Sequence, residues 1–207
     1  MIHYFKDGDP GYDYMDSWQK NAGHMEFKKW DSTNLPYSQY PILEKYRDQK
    51  KWSILSDFVR RWALLEFGGI YLDLDVELIK PIDTFLDLEC FIAIEGPPVF
   101  GNMAVSGGHK GSKHLQRLLE MYLEVIEGKR NYSVRMEVAC SPWVVTDYLK
   151  QLKGRELEED DLYNIKEYNG LTTLPKTYFY PFNWNEQYTD DVIKPNTYGI
   201  HWWKKGW

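Results

Sequence analysis

Residues Lys51–Pro81 read KWSILSDFVRRWALLEFGGIYLDLDVELIKP, and this stretch decides the fold. In its first half Leu55, Phe58, Val59, Trp62 and Leu65 recur at three- and four-residue steps, the period of one apolar helix face. Gly68 and Gly69 then predict the helix end, because glycine takes the left-handed conformation that closes a helix. The second half changes to a period of two. Ile70, Leu72, Leu74, Val76 and Leu78 fall on one side of a predicted strand; Tyr71, Asp73, Asp75 and Glu77 fall on the other.

On an extended strand, side chains two apart are separated by roughly 6.5–7 Å, too far for two carboxylates to share a proton. That spacing suits a hard divalent cation bound by one carboxylate directly and by the other directly or through water. A half-buried strand with a solvated acidic face would carry the same letters. Against that plain reading, aspartate is disfavoured in strands, and alternating acids cost stability unless positive charge faces them.

The segment SDFVRRWALLEFGGIYLDLDVELIKPID, residues 56–83, resembles the core signature of the DXD-containing sugar transferases of glycosyltransferase family 32. Relatives of that family include yeast-type initiating mannosyltransferases, bacterial capsule transferases and, distantly, the clostridial glucosylating toxins. The resemblance implies one α/β domain of the GT-A type over residues 1–207, a single Rossmann-like, mostly parallel twisted sheet flanked by helices. It implies metal-dependent transfer of a sugar, with retention at the anomeric carbon, from a UDP- or GDP-sugar to an acceptor hydroxyl. Mn²⁺ or Mg²⁺ would sit on Asp73 and Asp75, and the related toxins grip the donor sugar with residues that match Asp57 and Arg60. An ion pair three apart on a helix would read the same way, and Arg61 reads as facing solvent or a neighbour.

Outward from the core, Ile2–Phe5 is a predicted first strand, and ligands in such sheets bind beyond the carboxyl ends of strands. His3 and Tyr4 are therefore candidate nucleotide contacts. A helix over Tyr12–Asn21, a strand over Glu26–Trp30 and a short helix over Pro41–Asp48 follow. The pair Trp30–Asp31 matches the family's strand end, with Trp30 a flat surface for base or ribose and Asp31 an acceptor for ribose hydroxyls. Phe91–Ile94 reads as a strand and Glu95–Gly111 as irregular around a strand at Asn102–Val105, with Asn102 a candidate sugar contact. Ser112–Glu127 is a helix that Ser112 caps, and Ser141-Pro142 opens another that Gly154 closes. Acid-rich Gly154–Tyr163 reads as solvated loop, Leu171–Leu174 and Thr177–Tyr180 as strands, and Pro181–Asn185 as an aromatic turn.

The tail YGIHWWKKGW, residues 198–207, carries the second chemical signal. An imidazole is a common ligand for borderline cations, so His201 completes a mixed N/O set with Asp73 and Asp75. Family tails place a His before a closing Ser/Gly-Trp, which His201 and Trp207 match, with Gly206 where Ser is commoner. A bound donor would tie such a tail down, and Lys204 or Lys205 would then share the diphosphate's charge.

The whole chain has 207 residues, a net charge of −6, nine Trp and sixteen Tyr. The acidity argues against nucleic acid as a partner, and the aromatic excess suits sugar and base rings. Cys90 and Cys140 read as reduced core thiols. No stretch reaches the ~20 apolar residues of a membrane span. The expected setting is the cytoplasm, with peripheral association at the membrane's cytoplasmic face if the acceptor is lipid-linked; glycan or small-molecule acceptors are equally open. Polysaccharide or glycoconjugate assembly is the family's common role. Two rival readings share the same residues: a metal-dependent nucleotide-sugar or phosphodiester hydrolase, and a non-catalytic carbohydrate-binding protein.

Overall fold

The computed structural model describes residues 1–8, 11–97, 99–132 and 136–204, with the side chains of 136–140 excepted. In chain order the elements are β1 (Ile2–Phe5), α1 (Met15–Ala22), β2 (Phe27–Trp30), α2 (Ile42–Asp48), α3 (Trp52–Phe67), β3 (Gly69–Leu72) and β4 (Val76–Leu78). There follow β5 (Cys90–Gly96), β6 (Val99–Gly108), α4 (Lys113–Ile126), α5 (Met136–Lys153) and α6 (Asp160–Tyr163). The last are β7 (Lys166–Tyr168), β8 (Leu171–Leu174), α7 (Lys176–Phe179) and β9 (Gly199–His201).

Seven strands form one sheet in the order β2-β1-β3-β6-β5-β8-β7. Pairing is parallel for β1 with β2 and β3 and for β5 with β8, and antiparallel where β6 and β7 enter. Five of the seven strands therefore run one way, and the expected mostly parallel α/β sheet is formed. Period-two alternation sorts its two faces. Tyr71, Ile92, Ile94 and Met103 pack with Phe58, Val59 and Trp62 of α3 and with the apolar stripes of α4 and α5. Ile70, Leu72, Phe91, Ala93 and Ala104 pack on the other face with Trp18 of α1 and Phe179 of α7.

The glycine stop works as its chemistry predicts. Gly68 closes α3 at φ +70°, donates to the Leu64 carbonyl, and has no room for a Cβ, which would lie 2.8 Å from the Lys110 nitrogen. β1, β2, α2, β5, β8 and the α4 helix lie where the periodicity puts them, within a few residues.

Six expectations need correction. The strand expected over 70–78 is two strands. β3 ends at Leu72, Val76 donates to the Asp73 carbonyl to close a turn at 3.0 Å, and β4 pairs with β9 in a separate two-stranded sheet. β6 is a ten-residue strand through the Gly-rich segment, because its glycines are packed against: a Cβ on Gly101 would strike Val145, and one on Gly107 would strike Phe91. α5 begins at Met136, so Ser141 and Pro142 lie inside it and form no helix entry; Met-Glu-Val-Ala upstream are helix-compatible. Thr177–Phe179 is helical despite its β-favouring residues, wound by the bonds from Tyr178 to the Pro175 carbonyl and from Tyr180 to that of Lys176. Within the expected solvated loop, Asp161 is 4% exposed and pairs with Lys153 at 2.5 Å. Ser112 does stand at the α4 N-terminus, but its side chain makes no capping bond.

Candidate functional site

The turn from Asp73 to Val76 lies just past the carboxyl end of β3, beside the carboxyl ends of the parallel strands β1 and β2. This turn alters the geometry expected of an extended strand. Asp73, Asp75 and His201 each offer a ligand atom, and those atoms lie within 4.8 Å of one another.

Each acid is positioned by a different part of the chain. Asp73 Oδ1 accepts from Arg60 Nη2 at 3.0 Å and from the Tyr71 hydroxyl at 3.0 Å. Arg60 also reaches Asp57 Oδ1 at 3.3 Å and the Ser56 hydroxyl at 3.1 Å. The predicted Asp57–Arg60 pair is thus real and feeds directly into the acidic turn. On the other side, Asp75 Oδ1 lies 3.3 Å from His201 Nε2, and Asp75 Oδ2 accepts the Lys204 amide at 2.9 Å. The β4–β9 ladder sets this register by pairing Val76 with His201.

Burial dominates the electrostatics. It pushes Asp73 above the usual carboxylate range, against the Arg60 charge and reinforced by the Asp75 charge. Burial also pushes Asp75 upward, but the His201 charge and hydrogen bond and the Lys204 amide outweigh it and hold Asp75 low. For His201, burial disfavours the charged form, yet the Asp75 carboxylate raises its pKa. Two carboxylates crowded together in a buried turn, with Arg60 on one side only, form a well for positive charge.

The donor set passes a chemical test for a divalent cation. Two carboxylate oxygens and an imidazole nitrogen suit manganese or magnesium, with magnesium favouring the oxygens. Asp73, Asp75 and His201 would hold such an ion. His201 Nδ1 is buried with no hydrogen-bond partner among the described residues, so the ring's orientation is set by the Nε2 contact with Asp75 and by packing on Trp203 at 4.3 Å and Tyr180 at 5.3 Å.

The other expected contacts divide. Asn102 lies at the site, 9% exposed, donating to Glu95 Oε2 at 2.7 Å and accepting from the Ala104 amide at 2.9 Å. His3 needs correction as a nucleotide contact. Its ring is fully buried, Trp30 Nε1 donates to Nδ1 at 3.1 Å, and Nε2 consequently carries the hydrogen shared with the Gly68 carbonyl at 2.8 Å. Burial pulls its pKa down to about 4. Trp30 is likewise no open platform, being 5% exposed and packed edge-on against Trp62 at 4.8 Å. Tyr4 is buried against Trp18. Asp31 stands at the right strand end, but its carboxylate binds Thr33 and Lys29 in its own turn. Arg61 is buried, donating to the Asp57 carbonyl and to Ser141, over the Tyr122 ring. Trp207, Lys205, Gly206 and the Cys140 side chain lie outside the described residues. Cys90 is a buried free thiol, as expected.

Sequence reasoning missed two groups. Burial pushes the Glu95 carboxyl up to about 7, against the Asn102 hydrogen bond and the charges of His201 and Lys176. Burial and the charges of Asp75 and Asp73 raise the Tyr12 hydroxyl to about 12, and that hydroxyl donates to the Lys204 carbonyl at 3.3 Å. Glu95 is the only acid in an otherwise apolar strand run, which was the available signal.

The mostly parallel sheet thus carries, just past the carboxyl end of β3, an acidic turn whose side chains with His201 could hold a metal ion, backed by an Asp-Arg pair. Residues 5–92 of the chain match the glycosyltransferase sugar-binding region containing DXD motif, and over that stretch the chain is similar to DXD-containing glycosyltransferases. It is 22% identical to lactosylceramide 4-alpha-galactosyltransferase of Rattus norvegicus over 91% of its own length, and spans 55% of that relative. Among solved structures it is similar to the PaToxG glycosyltransferase, at 19% identity and a TM-score of 0.52, covering 72% of this chain and 68% of that one. It also overlaps the glycosyltransferase GlyE of Streptococcus pneumoniae TIGR4 at 13% identity and a TM-score of 0.49, covering 86% and 46%. Among the described residues no helix is long and apolar enough to cross a membrane.

Proposed function

We propose that this chain transfers a glycosyl group from a UDP- or GDP-sugar to an acceptor hydroxyl, with a divalent cation, and with retention at the anomeric carbon. The observation that carries this reading is the convergence of Asp73, Asp75 and His201 within 4.8 Å, next to the Asp57–Arg60 pair. The cation, when bound, supplies Lewis-acid stabilisation to the departing diphosphate. Asp75, the acid held below the usual range, stays ionised at neutral pH and binds it; Asp73 supports it while remaining tied to Arg60.

Arg60 does two jobs in this reading. It neutralises Asp73, and with Asp57 it orients hydroxyls of the donor sugar. In the transfer the bond from C1 to the diphosphate oxygen breaks, and its electron pair leaves with the phosphate. The acceptor oxygen forms the new bond to C1, and its proton passes to the departing phosphate. The walls contributed by the buried Tyr180 and Tyr71 and the half-buried Trp203 exclude water, which favours an acceptor hydroxyl over hydrolysis. Asn102, fixed by Glu95, presents its amide from the β5–β6 side. The acceptor class is a glycan or glycolipid headgroup, since the galactosyl-transferring relative acts on lactosylceramide.

A thermal-shift screen of UDP- and GDP-sugars, with and without manganese, tests this reading. Stabilisation that needs both nucleotide and metal, and vanishes in Asp75→Asn, is the expected result. An unchanged melting curve for the native chain with every donor would end it. Product analysis with and without acceptor separates transfer from hydrolysis.

A further inference from the structure

Beyond the donor site, the turn after α7 carries an exposed indole. Trp184 is 67% exposed, the most open of the large apolar side chains among the described residues. Its ring has no aromatic partner and no hydrogen bond among those residues. Chain disorder does not explain the exposure, for the turn is closed at both ends. Asn183 donates its amide to Glu186 Oε2 at 2.7 Å, and Glu186 donates its amide back to the Asn183 carbonyl at 3.0 Å. The preceding residue is anchored as well: Phe182 is 6% exposed, and its carbonyl accepts from Trp203 Nε1 at 3.0 Å. The indole is therefore held in water by an ordered turn, with its apolar face and its N–H both available.

The turn borders the site through polar groups. Lys176 Nζ donates to Asn183 Oδ1 at 3.2 Å, and that oxygen lies 3.6 Å from where a Cβ on Gly96 would stand. Gly96 ends β5 next to Glu95, whose carboxyl feels both Lys176 and His201 and holds Asn102. The turn that bears the exposed indole thus reaches the Asp-Asp-His cluster through its neighbours: Asn183 and Lys176 on the side of Glu95, and the Phe182 carbonyl bonded to Trp203, which packs on His201 at 4.3 Å. This is the chemistry that recognises a pyranose, whose C–H face stacks on an aromatic ring while its hydroxyls take amide and charged partners.

We infer that Trp184, with Asn183 and Lys176, forms the acceptor subsite, and that its ligand is a glycan whose terminal sugar stacks on the indole. This rests on the transferase reading for its role, but binding is measured separately from transfer. The probes are lactose, methyl β-galactoside, methyl α-glucoside and methyl α-mannoside, read by saturation-transfer NMR on the native chain, Trp184→Ala and Trp184→Phe. Manganese with UDP or GDP is titrated in parallel by thermal shift. At least one glycoside should bind the native chain, about tenfold more weakly after Trp184→Ala, and with partial recovery in Trp184→Phe. The metal-nucleotide shift should stay the same in all three. Equal glycoside binding by Trp184→Ala, binding of none of the probes by the native chain, or a change of oligomeric state in Trp184→Ala without a change in sugar binding would each overturn the inference. Trp184-dependent sugar binding with no nucleotide response would retain the glycan subsite and remove the transferase reading.

Discussion

Asp73 and Asp75 stand two residues apart, yet they belong to differently built halves of the molecule. Asp73 is held by Arg60, only 13 residues away, across the helix-to-strand unit α3–β3. Asp75 is held by His201 and by the Lys204 amide, 129 residues away, across the small β4–β9 sheet. The first half is a local unit with its own countercharge. The second half exists only because the tail returns. The difference teaches that one short acidic motif joins a preformed cradle to a separately supplied clamp, and each half should fail in its own way when cut.

The largest effect should come from the clamp half. Asp75→Asn should lower transfer at least about 100-fold and abolish metal-dependent donor stabilisation, because it removes the better-ionised ligand. Steady-state transfer assays beside a thermal-shift titration read both, and a variant with native rates would break the division of labour. On the cradle side the damage should be to the fold. Arg60 is 5% exposed between Asp73 and Asp57. Arg60→Ala leaves the half-buried Asp57 and Asp73 carboxylates without their countercharge, with only the Tyr71 hydroxyl still on Asp73, and should cost about 3 kcal/mol in urea unfolding. A stability equal to the native chain's would show that the cradle is not preformed.

A pH series sharpens the same contrast. His3 ties the cradle strand β1 to the end of α3 through Gly68, and burial lowers its pKa from 6.5 to about 4. The unfolded chain therefore binds this proton first as pH falls. The contribution is present above pH 6.5 and is lost as pH drops toward about 4, amounting to on the order of 3 kcal/mol. His3→Gln should flatten that part of the stability profile; an identical acid slope in both proteins would assign the effect elsewhere. The smallest change is expected in the clamp's outer layer. Trp202 Nε1 donates to Glu77 Oε2 at 2.8 Å, so Trp202→Phe should cost about 1 kcal/mol while leaving the cradle's stability untouched. Hydrogen exchange should localise that loss to β4 and β9.

The same division explains what could be read from the letters. The cradle was legible because helix period, glycine stop and strand alternation are local signals, and Arg60 lies three residues past Asp57. His201 was legible as a ligand from its chemistry and from the family resemblance, though nothing local shows that β9 pairs with β4. The turn at Asp73–Val76 was hidden because Leu74, Val76 and Leu78 continue the alternation across it; only pairing with a distant strand reveals the break. His3 and Trp30 looked like ligand contacts because they sit near strand ends. Their mutual hydrogen bond and their packing on Phe67 come from tertiary neighbours that spacing does not encode. Glu95 was passed over because one acid in a proline-glycine segment resembles a loop residue until burial and Asn102 give it a role.

The β4–β9 ladder also sets a clock. A chain emerging from synthesis can fold α3 and β3 and place Asp73 against Arg60 long before residues 199–204 exist. Pairing across so great a separation in sequence comes late in folding. Until then Asp75 has neither imidazole nor amide beside it. The centre is therefore assembled last, so a partly made chain, or one clipped ahead of Gly199, would hold a folded cradle with no grip on a cation.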